Sequence, residues 1–139
     1  MEGAKFHPGF EPRPGEIHVT KHRYSPFFGT TLDAILRSRD IRTVIVAGLT
    51  ADVCVSSTAR DAFQREYNVI TLSDCAAELT QARHESGLQT LAANFGVVCT
   101  SDDVVQRWRS QHTSPALPCH IRIGRVAEDR RACAGDGEQ

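Results

Sequence analysis

From Gly15 to Arg109 the apolar positions alternate between two rhythms. Residues 16–21 (EIHVTK) put Ile17 and Val19 on one side, the period of two that marks a short strand. Residues 24–29 (YSPFFG) break that pattern. A helix is predicted from Thr30, with Thr30 or Thr31 as its cap and Leu32, Ile35 and Leu36 as its apolar stripe. Residues 42–48 (RTVIVAG) form a continuous β-branched run, the signature of a strand covered on both faces in a parallel sheet. After residues 49–54 (LTADVC) a second helix is predicted to about Glu66, with Val55, Ala59, Ala62 and Phe63 at helical spacing. Residues 68–72 (NVITL) read as a strand and 73–79 (SDCAAEL) as a loop. A long helix then carries Leu88, Leu91, Ala92 and Phe95 on one face. Residues 97–100 make a short strand, and Ser101 caps a last helix with Asp102 and Asp103 in its first turn and Val104, Val105 and Trp108 turned inward.

Strands alternating with helices predict an α/β fold, a three-layer αβα, Rossmann-like arrangement with a mainly parallel sheet. Ligands in such sheets bind beyond the carboxyl ends of the strands, which points to residues 21–28, 48–55 and 73–77. Residues 1–14, broken by Pro8, Pro12 and Pro14, read as a loop remnant, and 15–109 as the domain. From Ser110 the periodicity dissolves, so 110–139 read as a poorly ordered tail.

The chain has 139 residues, enough for one core and too few for two. A formal net charge of −1 gives no global attraction to nucleic acid or anionic membrane. The longest apolar run, Val44 to Ala47, is too short to cross a bilayer, and the first residues lack a signal-peptide core. A cytoplasmic location is the expectation. The five cysteines are odd in number and none are paired as C-x-x-C, which argues for reduced thiols rather than a disulfide framework or zinc knuckle.

One of these thiols has a position that suggests chemistry. Cys54 follows the strand 42–48 and Gly48, which permits a sharp turn, and stands at or near a helix N-terminus. Unpaired amides and the positive end of a helix dipole favour the thiolate there, and the same amides can hold an oxyanion. Taken alone, a buried helix-start cysteine is the more common reading of such a residue. Lys21, at the end of a predicted strand, belongs to the same carboxyl edge, where its charge would favour the thiolate. Taken alone, it is a surface lysine.

Three blocks together carry a resemblance: KHRYSPFFGTTLD (21–33), VIVAGLTADVCVSSTARDA (44–62) and LSDCAA (72–77). They resemble the isochorismatase-like cysteine hydrolases, which include nicotinamidases, N-carbamoylsarcosine amidases and ureidoacrylate or biuret-type amidohydrolases. The resemblance implies hydrolysis of a carbon–nitrogen bond in a small-molecule amide through a thioester, with Cys54 as nucleophile and Lys21 as the triad lysine. It implies a cis peptide at Leu49-Thr50 and an oxyanion site from the amides of Thr50 and Cys54. Tyr24, Phe27 and Phe28 are expected to help wall the pocket; ordinary core packing is the alternative, at least as good for Phe28. No cofactor is implied, and homo-oligomerisation is.

The family's third residue is an aspartate in an N-terminal strand of the type apolar-apolar-Asp-x-Gln. Residues 1–20 contain no aspartate, so the sequence is expected to be N-terminally truncated, with little or no amidase activity for want of a base. The upstream Asp-x-His-x-x-His-like set of the nicotinamidases has no counterpart either. His7, His18, His22 and His84 are scattered and read as surface residues, so no metal is expected. Asp74 reads as a structural loop acid. A non-catalytic binding or oligomerising remnant of the same fold is the alternative to an enzyme, and a thiol redox protein the third reading, disfavoured because no resolving cysteine lies near Cys54 in sequence.

Overall fold

The β-branched run after Arg42 forms the first strand of a computed structural model that describes Phe6, Gly9 and residues 11–112. Among the described residues three parallel strands, β1 (Thr43–Leu49), β2 (Asn68–Ala77) and β3 (Val97–Cys99), lie in the order β1-β2-β3. Helix α1 (Leu32–Ser38) precedes the sheet, α2 (Ser56–Gln64) and α3 (Gln81–Asn94) cross between strands, and α4 (Ser101–His112) follows β3. Parallel crossovers are right-handed, so two of them advancing in one direction place α2 and α3 on the same face, where they touch each other. Helix α4 packs on β2. The class is α/β, a parallel sheet with flanking helices.

One apolar cluster holds these elements: Val46 and Val69 from the sheet, Val55, Ala59 and Ala62 around α2, and Leu91 from α3. Small residues on α2 let its backbone approach β2 closely. Helix α1 is tied to this body through a polar contact. The Tyr67 hydroxyl donates to Asp33 Oδ1 at 2.8 Å, and Arg37 bridges Asp33 at 3.2 Å. Burial raises the Tyr67 phenol above its usual value, while the Tyr67 bond holds the Asp33 carboxyl below its own.

The structure corrects the sequence reading in several places. Residues 16–21 form no strand among the described residues: they join no ladder of the sheet, and Ile17 is 45% exposed. The 73–79 segment is not a loop: β2 continues to Ala77, pairing Gly48 with Ala76 and Leu49 with Ala77 after a register shift. β1 is covered on one face only, since Val46 is buried but Ile45 is 50% exposed. Val105 and Trp108 do not turn inward; Trp108 is 65% exposed. The cap of α4 is Thr100 rather than Ser101: the Asp103 amide donates to Thr100 Oγ1 at 3.2 Å, and the Thr100 amide donates to Asp103 at 2.9 Å. Of the segment read as a tail, Ser110 to His112 continue α4 and residues 113–139 lie outside the described residues. The described part of residues 1–14 carries no helix or strand.

Candidate active site

The site begins where β1 ends. Gly48 has φ +123°, in the region that favours glycine, and the Leu49-Thr50 peptide bond is cis. The Thr50 carbonyl then accepts from the amides of Val53 (3.3 Å) and Val55 (3.0 Å). The second bond spans five residues, so Ala51–Val55 make a single π turn before α2 begins. Ala51 and Val55 are buried and anchor the turn in the core. Cys54, half-buried, lies between them on the wall of a cavity of about 470 Å³.

Lys21 enters the same cavity from a segment that is far away in sequence. Its Nζ is 3.9 Å from Cys54 Sγ and donates to the Arg23 carbonyl at 3.2 Å. Phe27, Leu36, Leu49 and Thr58 complete much of the lining. Phe27 is buried, whereas Leu49 is 70% exposed at the cavity mouth. The cavity is therefore largely apolar, with one cation beside one thiol. Among the described residues no carboxylate forms an ion pair with Lys21.

Tyr24 does not wall this cavity. In the turn after Lys21, Ser25 and Phe27 point inward, with the Phe27 amide donating to Ser25 Oγ at 3.2 Å. Their neighbours Tyr24 and Phe28 are thereby turned out, Tyr24 being 63% exposed. Phe28 takes neither the wall nor the core place. Thr58, which the sequence reading missed, does belong to the site: it lines the cavity, and its Oγ1 donates to the Cys54 carbonyl at 2.6 Å. Its spacing of four residues after Cys54, one helical turn, was the available signal.

The acids near Cys54 in the sequence are committed elsewhere. Arg83 forks onto Asp52 at 2.9 and 3.1 Å, which together with a Glu78 contact holds the Asp52 carboxyl below its usual value. The covered Glu78 carboxylate accepts from the Asp52 amide at 3.2 Å, pinning the start of the π turn. Asp74 accepts from the Ser101 amide at 2.8 Å and its hydroxyl at 2.6 Å, and those bonds lower its carboxyl. It thus anchors the start of α4 from a position on β2. His84 is half-buried rather than a surface residue. Its Nε2 lies 2.9 Å from the Ala76 carbonyl and 3.2 Å from the Ser73 carbonyl, so that nitrogen carries the proton. The ring braces the end of β2 that pairs with Gly48 and Leu49. Among the described residues no group of three or more His, Cys, Asp or Glu is arranged to hold a metal ion, and no helix is long and apolar enough to cross a membrane.

Comparison with known proteins places this geometry in context. Residues 1–103 match the isochorismatase domain. The ureidoacrylate amidohydrolase RutB of Variovorax paradoxus is 44% identical over 97 residues, covering 69% of this chain and 38% of that protein. An isochorismatase-like hydrolase from Alkaliphilus metalliredigens superposes with a TM-score of 0.74 at 43% identity, over 76% of this chain and 59% of that one. An N-carbamoylsarcosine amidase from Thermoplasma acidophilum gives a TM-score of 0.67 at 35% identity, over 73% and 58%. The chain thus spans well under half the length of the curated relative and nearly three fifths of each of these two solved chains.

Proposed function

Since the chain belongs to the isochorismatase family, we propose that its site is that of a cysteine hydrolase acting on a carbon–nitrogen bond of a small non-peptide amide. The observation that carries this reading is the Lys21 ammonium 3.9 Å from the Cys54 sulfur, at one wall of a largely apolar cavity. In this mechanism the Cys54 thiolate attacks the amide carbonyl carbon. The amides of Thr50 and Cys54 donate to the resulting oxyanion. Collapse breaks the carbon–nitrogen bond, the leaving nitrogen takes a proton from Lys21, and a thioester remains on Cys54. Water then releases the acid. Phe27 packs against the body of the substrate. The substrate class is ureido or carbamoyl, the chemistry in the names of two of the relatives.

The two halves of the reaction are unequally equipped. Acylation needs the thiolate, the oxyanion donors and Lys21. Deacylation needs a base to activate water, and no carboxylate pairs with Lys21 among the described residues. Acyl-enzyme therefore outlasts its formation, and steady turnover is low. The same gap is what favours the second reading, a non-catalytic binding form of the fold. A cytoplasmic setting, where the thiol stays reduced, and homo-oligomerisation belong to the proposal.

The test is to mix purified chain with ureidoacrylate, nicotinamide and biuret, quench in acid, and measure intact mass and released ammonia. The expected result is a chain heavier by one acyl group, a burst of ammonia from nicotinamide no larger than the chain concentration with slow release after it, and loss of both in Cys54→Ala. A chain left unmodified by every amide, with no ammonia released, would select the non-catalytic reading, and turnover surviving Cys54→Ala would end the thiol mechanism.

A further inference from the structure

The Cys54–Lys21 pair has a second consequence. An acyl group on Cys54 would sit beside a primary amine whose nitrogen is 3.9 Å from the sulfur. Reacting atoms held about 3–3.5 Å apart behave as though at very high concentration, with effective molarities on the order of 10⁵–10⁸ M in well-oriented cases. The carbonyl carbon of a thioester on Cys54 is bonded directly to that sulfur, so it too would be a near neighbour of Nζ. Water, the competing nucleophile, has no carboxylate base at the pair among the described residues. Lys21 is exposed, so its proton can pass to solvent. Its present partners, the Arg23 carbonyl and the thiol, are both acceptors that a neutral amine can leave.

We propose that Lys21 is an acyl-acceptor site: small acyl groups captured by Cys54 move from sulfur to the Lys21 amine and stay there as a stable amide. The inference rests on Cys54 being the nucleophile of the proposed function. The donor is a small acyl thioester. In the first step the Cys54 thiolate attacks the donor carbonyl, the donor carbon–sulfur bond breaks, and the donor thiol leaves. In the second, neutral Nζ attacks the new thioester, a carbon–nitrogen bond forms, the Cys54 carbon–sulfur bond breaks, and the amine proton returns the sulfur to a thiol. No electrons are gained or lost. Because the attacking species is the neutral amine, transfer accelerates as pH rises. Acylation of Lys21 removes the cation from the cavity, so each molecule modifies itself once.

Lys5 is the only other lysine in the sequence, which makes it an internal reference. The full chain is incubated with S-acetylglutathione between pH 7 and 9, and acetyl groups are mapped by peptide mass spectrometry before and after hydroxylamine, which cleaves thioesters and spares amides. The expected result is hydroxylamine-stable acetyl on Lys21, exceeding that on Lys5 by at least about tenfold, as proximity requires. Cys54→Ala should reduce Lys21 to the level of Lys5. Lys21→Arg, which keeps the charge, should leave hydroxylamine-labile acetyl accumulating on Cys54. Acetyl that remains on Cys54 in the parent chain, or is hydrolysed from it, would overturn the transfer while leaving the nucleophile intact. Absence of any acetyl on Cys54 in Lys21→Arg would overturn both. Acetylation of Lys21 that persists in Cys54→Ala would show direct reaction with the donor and also overturn the transfer.

Discussion

Gly87 offers a direct test of how the turn carrying Cys54 is held. It lies within α3, buried against the π turn, and a β-carbon there would stand 3.1 Å from Asp52 Cα and 3.2 Å from both the Asp52 nitrogen and Cβ. Two effects oppose each other in Gly87→Ala. Alanine is better than glycine inside a helix by about 1 kcal/mol. Against this, overpacking a tight contact costs about 1–3 kcal/mol. Two of the three close atoms are backbone, and the Glu78 and Arg83 contacts pin Asp52, so rotation cannot relieve the contact. The clash wins, and a net loss of about 1 kcal/mol is the difference between those two effects. For a domain near 100 residues that lowers the melting temperature by about 4–8 °C. Urea and thermal melts of Gly87→Ala would be compared with Ala92→Gly, an exposed α3 position where propensity acts alone. Loss of stability in both variants is expected. If Gly87→Ala matched or exceeded the parent while Ala92→Gly fell, the close approach of α3 to the turn would be refuted.

Two further outcomes rest on the polar contacts. Iodoacetamide at neutral pH should alkylate Cys54 faster than the exposed Cys75, and Lys21→Met should remove that advantage; equal rates in the parent chain would mean that Lys21 does not activate the thiol. Asp33, Asp52, Asp74 and Asp103 are held below their ordinary value of 3.8, chiefly by Tyr67, Arg83, Ser101 and Thr100 respectively. The unfolded chain therefore binds more protons in acid, so this stability is complete above about pH 4 and is lost as pH falls through the lower folded-state values. Circular-dichroism melts from pH 5 to pH 2 should show the decline, and a flat profile would contradict it.

The parts of the fold legible in the sequence were those with local causes. Continuous β-branched residues marked β1, and the spacing of Val55, Ala59 and Ala62 marked α2. Errors fell where the outcome depends on a distant partner. Ile17 and Val19 alternate as a strand should, yet alternation cannot supply the neighbouring ladder that a strand needs. The chain from Ser73 to Ala77 reads as a loop, but His84, which reads as a surface residue, lies against the carbonyls of Ser73 and Ala76 and braces that end of β2. Cys54 stands out by its place between a strand and a helix and Lys21 by its place at a strand end, but it is the resemblance that pairs them as candidates, because 33 residues separate them and only the folded chain brings them together. Tyr24, expected at the cavity wall, is turned away from it for a local reason: Ser25 and Phe27 point inward, and their neighbours point out.

Capture of an acyl group and its release make different demands on the Cys54–Lys21 pair. In the proposed mechanism a thiol, a cation and amide donors serve capture; Cys54 is on the π turn and Lys21 lies beside it. Release is harder, since water at neutral pH attacks a thioester slowly without a base. Asp52 cannot supply one while Arg83 holds both of its oxygens, and Asp74 is occupied by Ser101. Breaking the Asp52–Arg83 fork would free a carboxylate but also remove contacts that hold the turn carrying the sulfur. A carboxylate brought to Lys21 from outside these residues would meet the demand without disturbing the turn. The ratio of free acid to Lys21 amide formed from one acyl donor therefore measures how well the site is supplied with a base, and addition of such a carboxylate should move that ratio toward the acid.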